Sequence, residues 1–341
     1  MPHYKLAFLG FGNVGQALGH LLLSKRDEIL SLYKITFSIT GITTGSHGSA
    51  INPHGINLKQ ALTIMEDGGS LETLSALPVP SDSIEFITHC DADVLFENTP
   101  VNYQTGQPAV DHLRTAMSMG IRAITANKGP VVHAYRPLTK LADSKGSKFY
   151  FESTVMDGAP VFSLFRSGLP AANLRSLRGI LNSTTNLILN RMEEGDTFED
   201  AIAYAQLIGI AETDPSGDVD GWDAAIKVTA LVNVLMGLPL KPDEVERQGI
   251  RGITPEDINR ARNGGKRWKL VCSAKRFGKK VQARVSPEMV PPDSPLFHVD
   301  GTTSIIQFDS DVLGQLSVIE TDPGPHTTAY GLLADFLNAV R

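Results

Sequence analysis

An apolar run at residues 4–9 passes directly into Gly10-Phe11-Gly12-Asn13-Val14-Gly15 and then into a helical pattern through residue 23. A strand, a G-x-G-x-x-G turn and a helix, in that order, leave few folds open. The first glycine permits the tight turn, the second lets a pyrophosphate approach the backbone, and the third permits close helix–strand packing. Free N–H groups at the helix start then face phosphates. Gly10, Gly12, Asn13, Val14 and Gly15 therefore read as the start of a dinucleotide site.

Alternation continues beyond the turn. Strands are expected at 35–42, 93–97, 121–125 and 148–155, with helices at 106–119 and 132–143. Strands alternating with helices imply a doubly wound parallel sheet, with ligands beyond the carboxyl ends of its strands. Two such ends stand out, Asn98-Thr99-Pro100 and Ala126-Asn127-Lys128-Gly129-Pro130; Lys128, straight after an apolar strand, would project into the cleft. An exposed loop lysine is the plain alternative. The second strand ends in Thr43-Thr44-Gly45-Ser46-His47-Gly48 without the acidic residue that usually holds a ribose 2′-hydroxyl. Hydroxyls and His47 tolerate a 2′-phosphate and Lys59 is a candidate to reach it, which favours NADP over NAD; an ordinary polar loop explains His47 and Lys59 equally well.

After Pro160 the pattern changes. A strand at 173–181 leads into the polar Asn182-Ser183-Thr184-Thr185-Asn186, with helices at 185–193, 197–208 and 255–263. Strands then follow without helices between them, at 268–275, 280–286, 303–308 and 316–320. This describes a separate α+β domain with a mixed or antiparallel sheet. The expected division is a Rossmann domain over 1–150, a substrate and dimerisation domain over 151–325, and a final helix in 326–341 returning to the first.

Composition narrows the function classes. A net charge of -6 argues against a nucleic-acid partner. The basic runs at 266–269 and 275–280 are expected on a solvated sheet edge. Two distant cysteines, Cys90 and Cys272, support neither a disulfide framework nor a zinc site. No run approaches a membrane span, and the first ten residues form a strand rather than a signal peptide. A cytoplasmic protein is expected.

The segment 209–227 carries the chemistry. Glu212, Asp214, Asp218, Asp220 and Asp223 fall within twelve residues, and the run enters an apolar helix bearing Lys227. Asp223 and Lys227, four apart, share a helix face. Carboxylates able to hold an ammonium beside a lysine able to donate a proton suit a small amino-acid-like substrate. A capped helix start with an exposed ion pair is the alternative.

With the glycine turn, Asn98-Thr99-Pro100, the 125–130 run, the 179–186 run and the acidic segment in this order, the chain resembles the homoserine dehydrogenase family over nearly its whole length. The resemblance implies NAD(P)-dependent interconversion of L-aspartate 4-semialdehyde and L-homoserine, a step towards threonine and methionine, by a homodimer built through the second domain's sheet. It implies that Glu212 and Asp223 hold the substrate ammonium, that Asp218 supports the site, and that Ser183 and Thr184 contact the substrate. Lys128 and Lys227 serve the reacting end, with Lys227 favoured for orientation and Lys128 as the acid/base. Asn98, Thr99 and Pro100 belong with Thr43, Thr44, Lys59 and Lys128 to the cofactor set, Thr99 and Pro100 lining the nicotinamide pocket. A sodium ion held by backbone carbonyls of the 152–160 loop is also implied, through Glu152, Val155 and Asp157.

The family's common Asn-Gly-Thr is Asn182-Ser183-Thr184 here, and a tyrosine frequent before Ala-Glu is Ile210. No further domain follows Arg341, so feedback through an appended module is not expected. Two other functions stay open: an oxidoreductase acting on another amino-acid semialdehyde or small oxo acid, and a non-catalytic dinucleotide-binding regulatory protein.

Overall fold

A computed structural model describes residues 1–341. The chain divides into two compact units, Met1–Pro160 with Gly324–Arg341, and Val161–Pro323.

The first unit is a six-stranded sheet of order β3-β2-β1-β4-β5-β6. Its strands are β1 (His3–Leu9), β2 (Thr36–Thr43), β3 (Ser49–Ile51), β4 (Val94–Glu97), β5 (Arg122–Thr125) and β6 (Phe149–Tyr150). All neighbours run parallel except β3, which turns back antiparallel on β2. Side chains of β1 alternate between two cores: Leu6 and Phe8 pack with Phe11, Leu18, Phe96 and Phe336, while Ala7 and Leu9 pack with Phe86, Ile87 and Leu95. The helices are α1 (Asn13–Ser24), α2 (Leu58–Glu66), α3 (Ser83–His89), α4 (Ala109–Ser118) and α5 (Lys128–Lys145), joined by the C-terminal helix Pro325–Ala339. Phe336 anchors that last helix, its ring 6.3 Å from Phe96.

Chain order reverses at β1, with β2 on one side and β4 on the other. The register aligns the last residues of three strands, Leu9, Glu97 and Thr125. The loops that follow them therefore leave the sheet side by side, at the place where open α/β sheets bind ligands.

Two expectations for this unit are corrected. The helix expected at 132–143 begins at Lys128, because Asn127 caps it by accepting the Gly129 N–H at 2.9 Å. Gly129 and Pro130 sit in the first turn, where a missing or unsatisfied N–H costs little. The strand expected over 148–155 is only Phe149–Tyr150 before the chain coils into the turn Glu152–Thr154. There the Glu152 N–H is taken by Asp335 Oδ2 at 2.7 Å instead of by a neighbouring strand.

The second unit holds a six-stranded sheet of order β12-β11-β7-β9-β10-β8. It comprises β7 (Leu174–Ile180), β8 (Glu246–Arg247), β9 (Arg267–Phe277), β10 (Lys280–Val290), β11 (Ser304–Ser310) and β12 (Gly314–Glu320). Pairing is antiparallel except between β8 and β10, which makes the sheet mixed. Helices α6 (Ser183–Glu194), α7 (Phe198–Leu207), α8 (Trp222–Leu231) and α9 (Pro255–Asn263) accompany it. The first basic run is not on an edge, since β9 lies between β7 and β10, while the second, 275–280, is the largely exposed turn between β9 and β10. Lys269 is fully buried and donates to Asn186 Oδ1 at 2.9 Å, while Arg267 pairs with Glu193 at 2.5 Å and Asp300 at 2.6 Å.

Candidate active site

In the first unit the glycine turn is shaped for a dinucleotide. Gly10 has φ +96°, and a Cβ there would lie 2.5 Å from the Asn98 carbonyl. A Cβ on Gly15 would lie 2.7 Å from the Gly10 carbonyl. Gly12 differs: nothing lies within 4 Å of its missing Cβ, so the space above it is open. Gly12 is also the N-cap of α1 and has no side chain to satisfy the first N–H groups, which leaves them for an anion at Asn13 and Val14. Beside this turn, both amide atoms of Asn98 are buried without a hydrogen-bond partner. A buried amide of that kind calls for a ligand, and the residues present fit a dinucleotide.

The β2–β3 loop is fastened by its own side chains. Thr43 Oγ1 meets Ser49 Oγ at 2.5 Å, and Thr44 Oγ1 accepts the His47 N–H at 2.7 Å. Lys59 is not brought to this loop. The Ile56 N–H donates to the Ile39 carbonyl, so α2 starts over the first half of β2, and Lys59 lines a separate cavity with Phe37, Ser38 and His54. A carboxylate reaches the loop from elsewhere: Glu72 Oε1 lies 3.0 Å from where a Cβ on Gly48 would stand. Only the fold could reveal that neighbour, because the two residues belong to different elements.

Lys128 is the first residue of α5 and is half-buried. A cation there opposes the helix dipole. The Glu152–Asp157 loop is mostly buried. Asp157 Oδ2 accepts from Thr327 Oγ1 at 3.1 Å, and its carbonyl lies 2.9 Å from where a Cβ on Gly331 would stand. Its oxygens thus face the C-terminal helix.

The acidic segment of the second unit separates into distinct groups. Asp214 caps Ser216 at 3.0 Å. Asp220 faces Arg251, 2.5 Å away. Glu212 is exposed, its carbonyl accepting from the Gln206 amide at 3.1 Å. Asp218 and Asp223 turn inward together: Asn182 Nδ2 donates to Asp218 Oδ1 at 2.6 Å and to Asp223 Oδ2 at 3.0 Å. Lys227 Nζ stands 2.9 Å from Asp223 Oδ2 and donates to the Leu181 carbonyl at 2.6 Å. An ammonium has three donors, so one remains for a ligand oxygen.

The starting geometry of α6 makes this possible. Asn182 is the N-cap; its Oδ1 accepts the Thr185 N–H at 2.9 Å while its amide faces the two carboxylates. Ser183 and Thr184 form the first turn, and Thr184 Oγ1 donates to the Ile210 carbonyl at 3.3 Å. Burial, then the charge of Asp223, push the Asp218 carboxyl above its usual range, against the Asn182 amide, the Lys227 ammonium and the Thr184 hydroxyl. A carboxyl held that way gains from an arriving ammonium group. Asn182 joins the whole cluster. The sequence signal was present, a polar Asn three residues before Thr185 at a helix start, but its second role needs the fold.

A doubly wound sheet with an open glycine turn belongs to proteins that bind a dinucleotide, and residues 10–152 match the homoserine dehydrogenase NAD-binding domain family. The chain is an NAD(P)-dependent oxidoreductase. Residues 160–337 match the homoserine dehydrogenase family. It is 34% identical to an NAD(+)-dependent homoserine dehydrogenase of Pseudomonas canavaninivorans over 99% of this chain and 96% of that protein. It is 36% identical to a homoserine dehydrogenase of Methanocaldococcus jannaschii over 98% and 97% of the two chains. A hyperthermophilic archaeal homoserine dehydrogenase solved in complex with NADPH superposes with a TM-score of 0.84 at 28% identity, over 99% of this chain and 98% of that one. The chain belongs to the homoserine dehydrogenase family.

Proposed function

We propose that this protein reversibly reduces L-aspartate 4-semialdehyde to L-homoserine with a nicotinamide dinucleotide. The observation that carries the reading is the Asn182–Asp218–Asp223–Lys227 network, a half-buried and a buried carboxylate beside a lysine with a donor to spare. The cofactor supplies the hydride to the aldehyde carbon. The rest falls to side chains. The substrate ammonium is held by Asp218 and Asp223, with Glu212 closing over it from its exposed position, and Ser183 and Thr184 contact the substrate from the first turn of α6. Lys227 orients the reacting oxygen and offsets its developing charge. Lys128 is assigned the acid/base role.

Several finer assignments belong to the same reading. The Thr43–Gly48 loop carries no carboxylate of its own, which favours NADP, while Glu72 against Gly48 is the group that opposes it. Asn98, Thr99 and Pro100 take the nicotinamide half. A sodium ion would be held by the carbonyls of Glu152 and Val155, hard donors that suit it; Asp157 contributes least, given its contacts with Thr327 and Gly331. A homodimer is supported by apolar side chains exposed around the edge strand β12: Val312 at 72%, Leu313 at 52% and Ile319 at 60%. No helix is long and apolar enough to cross a membrane. Both cysteines are buried as free thiols, which agrees with the reducing cytoplasm.

The test is homoserine oxidation followed with NADP and with NAD, with and without sodium, beside other hydroxy amino acids. Homoserine should be turned over fastest, and Lys128→Ala and Lys227→Ala should each abolish turnover. Intact cofactor binding with no homoserine turnover would point to the sister reaction on another semialdehyde or oxo acid, for which Ser183 and Ile210 are the motive. Unchanged activity in both lysine variants would refute the site.

A further inference from the structure

One buried charge at the carboxyl edge of the first sheet has no part in the chemistry above. Glu97 ends β4 with 0% exposure. A carboxylate is costly to bury unless it is hydrogen-bonded, and Glu97 gathers donors from two loops. Its Oε1 accepts the Thr99 N–H at 3.2 Å and also the Thr99 hydroxyl, and its Oε2 accepts the Thr125 hydroxyl at 2.8 Å. Thr125 Oγ1 in turn accepts the Asn127 N–H at 2.9 Å. The Asn127 amide then donates back to the Thr99 carbonyl at 3.1 Å. Glu97, Thr99, Thr125 and Asn127 thus form a closed ring, with His112 of α4 placing Nδ1 3.7 Å from Glu97 Oε1.

The ring governs where functional groups stand. It joins the loop after β4, which carries Asn98, Thr99 and Pro100, to the loop after β5. Through Asn127 it also caps the first turn of α5, where Lys128 begins the helix. We propose that Glu97 is a positioning residue, its buried carboxylate locking both loops into one preformed surface for the nicotinamide half of the cofactor and for Lys128. The assignment rests on the nicotinamide-dependent reaction proposed above and adds to it the group that pre-organises the site. A carboxylate suits the task because it accepts from all these donors and donates to none. Glutamine keeps one acceptor, and its NH2 forces the Thr125 hydroxyl to turn round.

The test uses the full chain and NADPH, whose affinity is read by fluorescence titration, alongside the melting temperature, kcat and KM for homoserine. The variants are Glu97→Gln, Thr125→Val, the double variant and Thr125→Ser. Losing one hydrogen bond to a charged group predicts about tenfold weaker NADPH binding for each of the first two. Their kcat should fall further than KM for homoserine rises. The double variant should be no worse than the weaker single, since both break one ring, and Thr125→Ser should restore the wild-type values. Wild-type NADPH affinity and kcat in variants that merely melt earlier would overturn the proposal, and so would losses that multiply in the double variant. Thr125→Val and Thr125→Ser keep the test decisive if Glu97→Gln fails to fold. If the wild type bound NADPH and turned over no homoserine, the reaction would be misassigned, while the affinity measurements would still decide the role of Glu97.

Discussion

Replacing Lys227 by methionine removes the ammonium from the carboxylate cluster and keeps most of the side-chain volume. Lys227 and Asp223 are 2.9 Å apart with side chains only 14% and 11% exposed. Coulomb's law at an effective dielectric of about 20 gives an attraction of about 6 kcal/mol at that separation. Desolvation offsets much of it, but removing one partner strands the other charge, at a cost of about 3–5 kcal/mol. The Leu181 carbonyl loses its donor as well. Asp218 already stands above its usual range through burial and the Asp223 charge, and it rises further without Lys227, whose charge opposes that shift. A carboxyl raised by folding binds its proton more tightly in the folded state. Stability therefore falls as pH climbs from the unfolded value, about 4, through the folded one. The deficit of Lys227→Met should be about 3 kcal/mol at neutral pH and shrink steadily towards pH 4. Urea unfolding across that range, run beside homoserine oxidation, measures both sides of the claim. A loss of kcat/KM of about a thousandfold is expected for a proton-handling or charge-offsetting group. A deficit below about 1 kcal/mol, as for a surface ion pair, or one that ignores pH, would refute the reasoning.

Other perturbations separate folding from function elsewhere. Gly12→Ala should leave the melting temperature unchanged and weaken NADPH binding at least about tenfold, because its Cβ meets only the space reserved for the pyrophosphate; calorimetric titration checks it. Gly10→Ala should instead destabilise the fold, at φ +96° and against the Asn98 carbonyl, and fail first in thermal unfolding. Burial, helped by Arg267, pushes Lys269 down to about 8. Between there and the ordinary lysine value the unfolded chain binds more protons, so stability should rise with pH by up to about 3 kcal/mol, a rise that urea unfolding of Lys269→Met should lack. Glu72→Gln should move the ratio of kcat/KM for NADP over NAD upwards; an unchanged ratio would remove Glu72 from cofactor selection.

How much of this was legible depends on the range of the interaction. The glycine turn, the polar 182–186 turn that opens a helix and the Asp223–Lys227 spacing are local, and local geometry follows from side-chain size, period and backbone freedom. The same holds for α9, expected at 255–263 and found at Pro255–Asn263, since Thr254 and Asp257 cap it within one turn. What sequence spacing left undecided was settled by partners distant in the chain. The 148–155 strand ends early because Asp335 takes the Glu152 N–H, from 183 residues away. Lys59 leaves the cofactor edge because the chain turns back at Ile56. Lys269 sits in the core because β9 is interior, an outcome of strand order that a run of basic residues cannot announce.

The sequence by itself determined most of the longer elements, the dinucleotide turn and the chemical inventory of the site, because these depend on neighbours a few residues apart. Only the tertiary structure decided that Asp218 turns inward beside Asp223 and Lys227, that Asn182 joins them, and that Glu97 ties two loops into one ring. Hydrogen bonds act over about 3 Å, and nothing in the order of residues states which distant atoms the fold will bring within that reach.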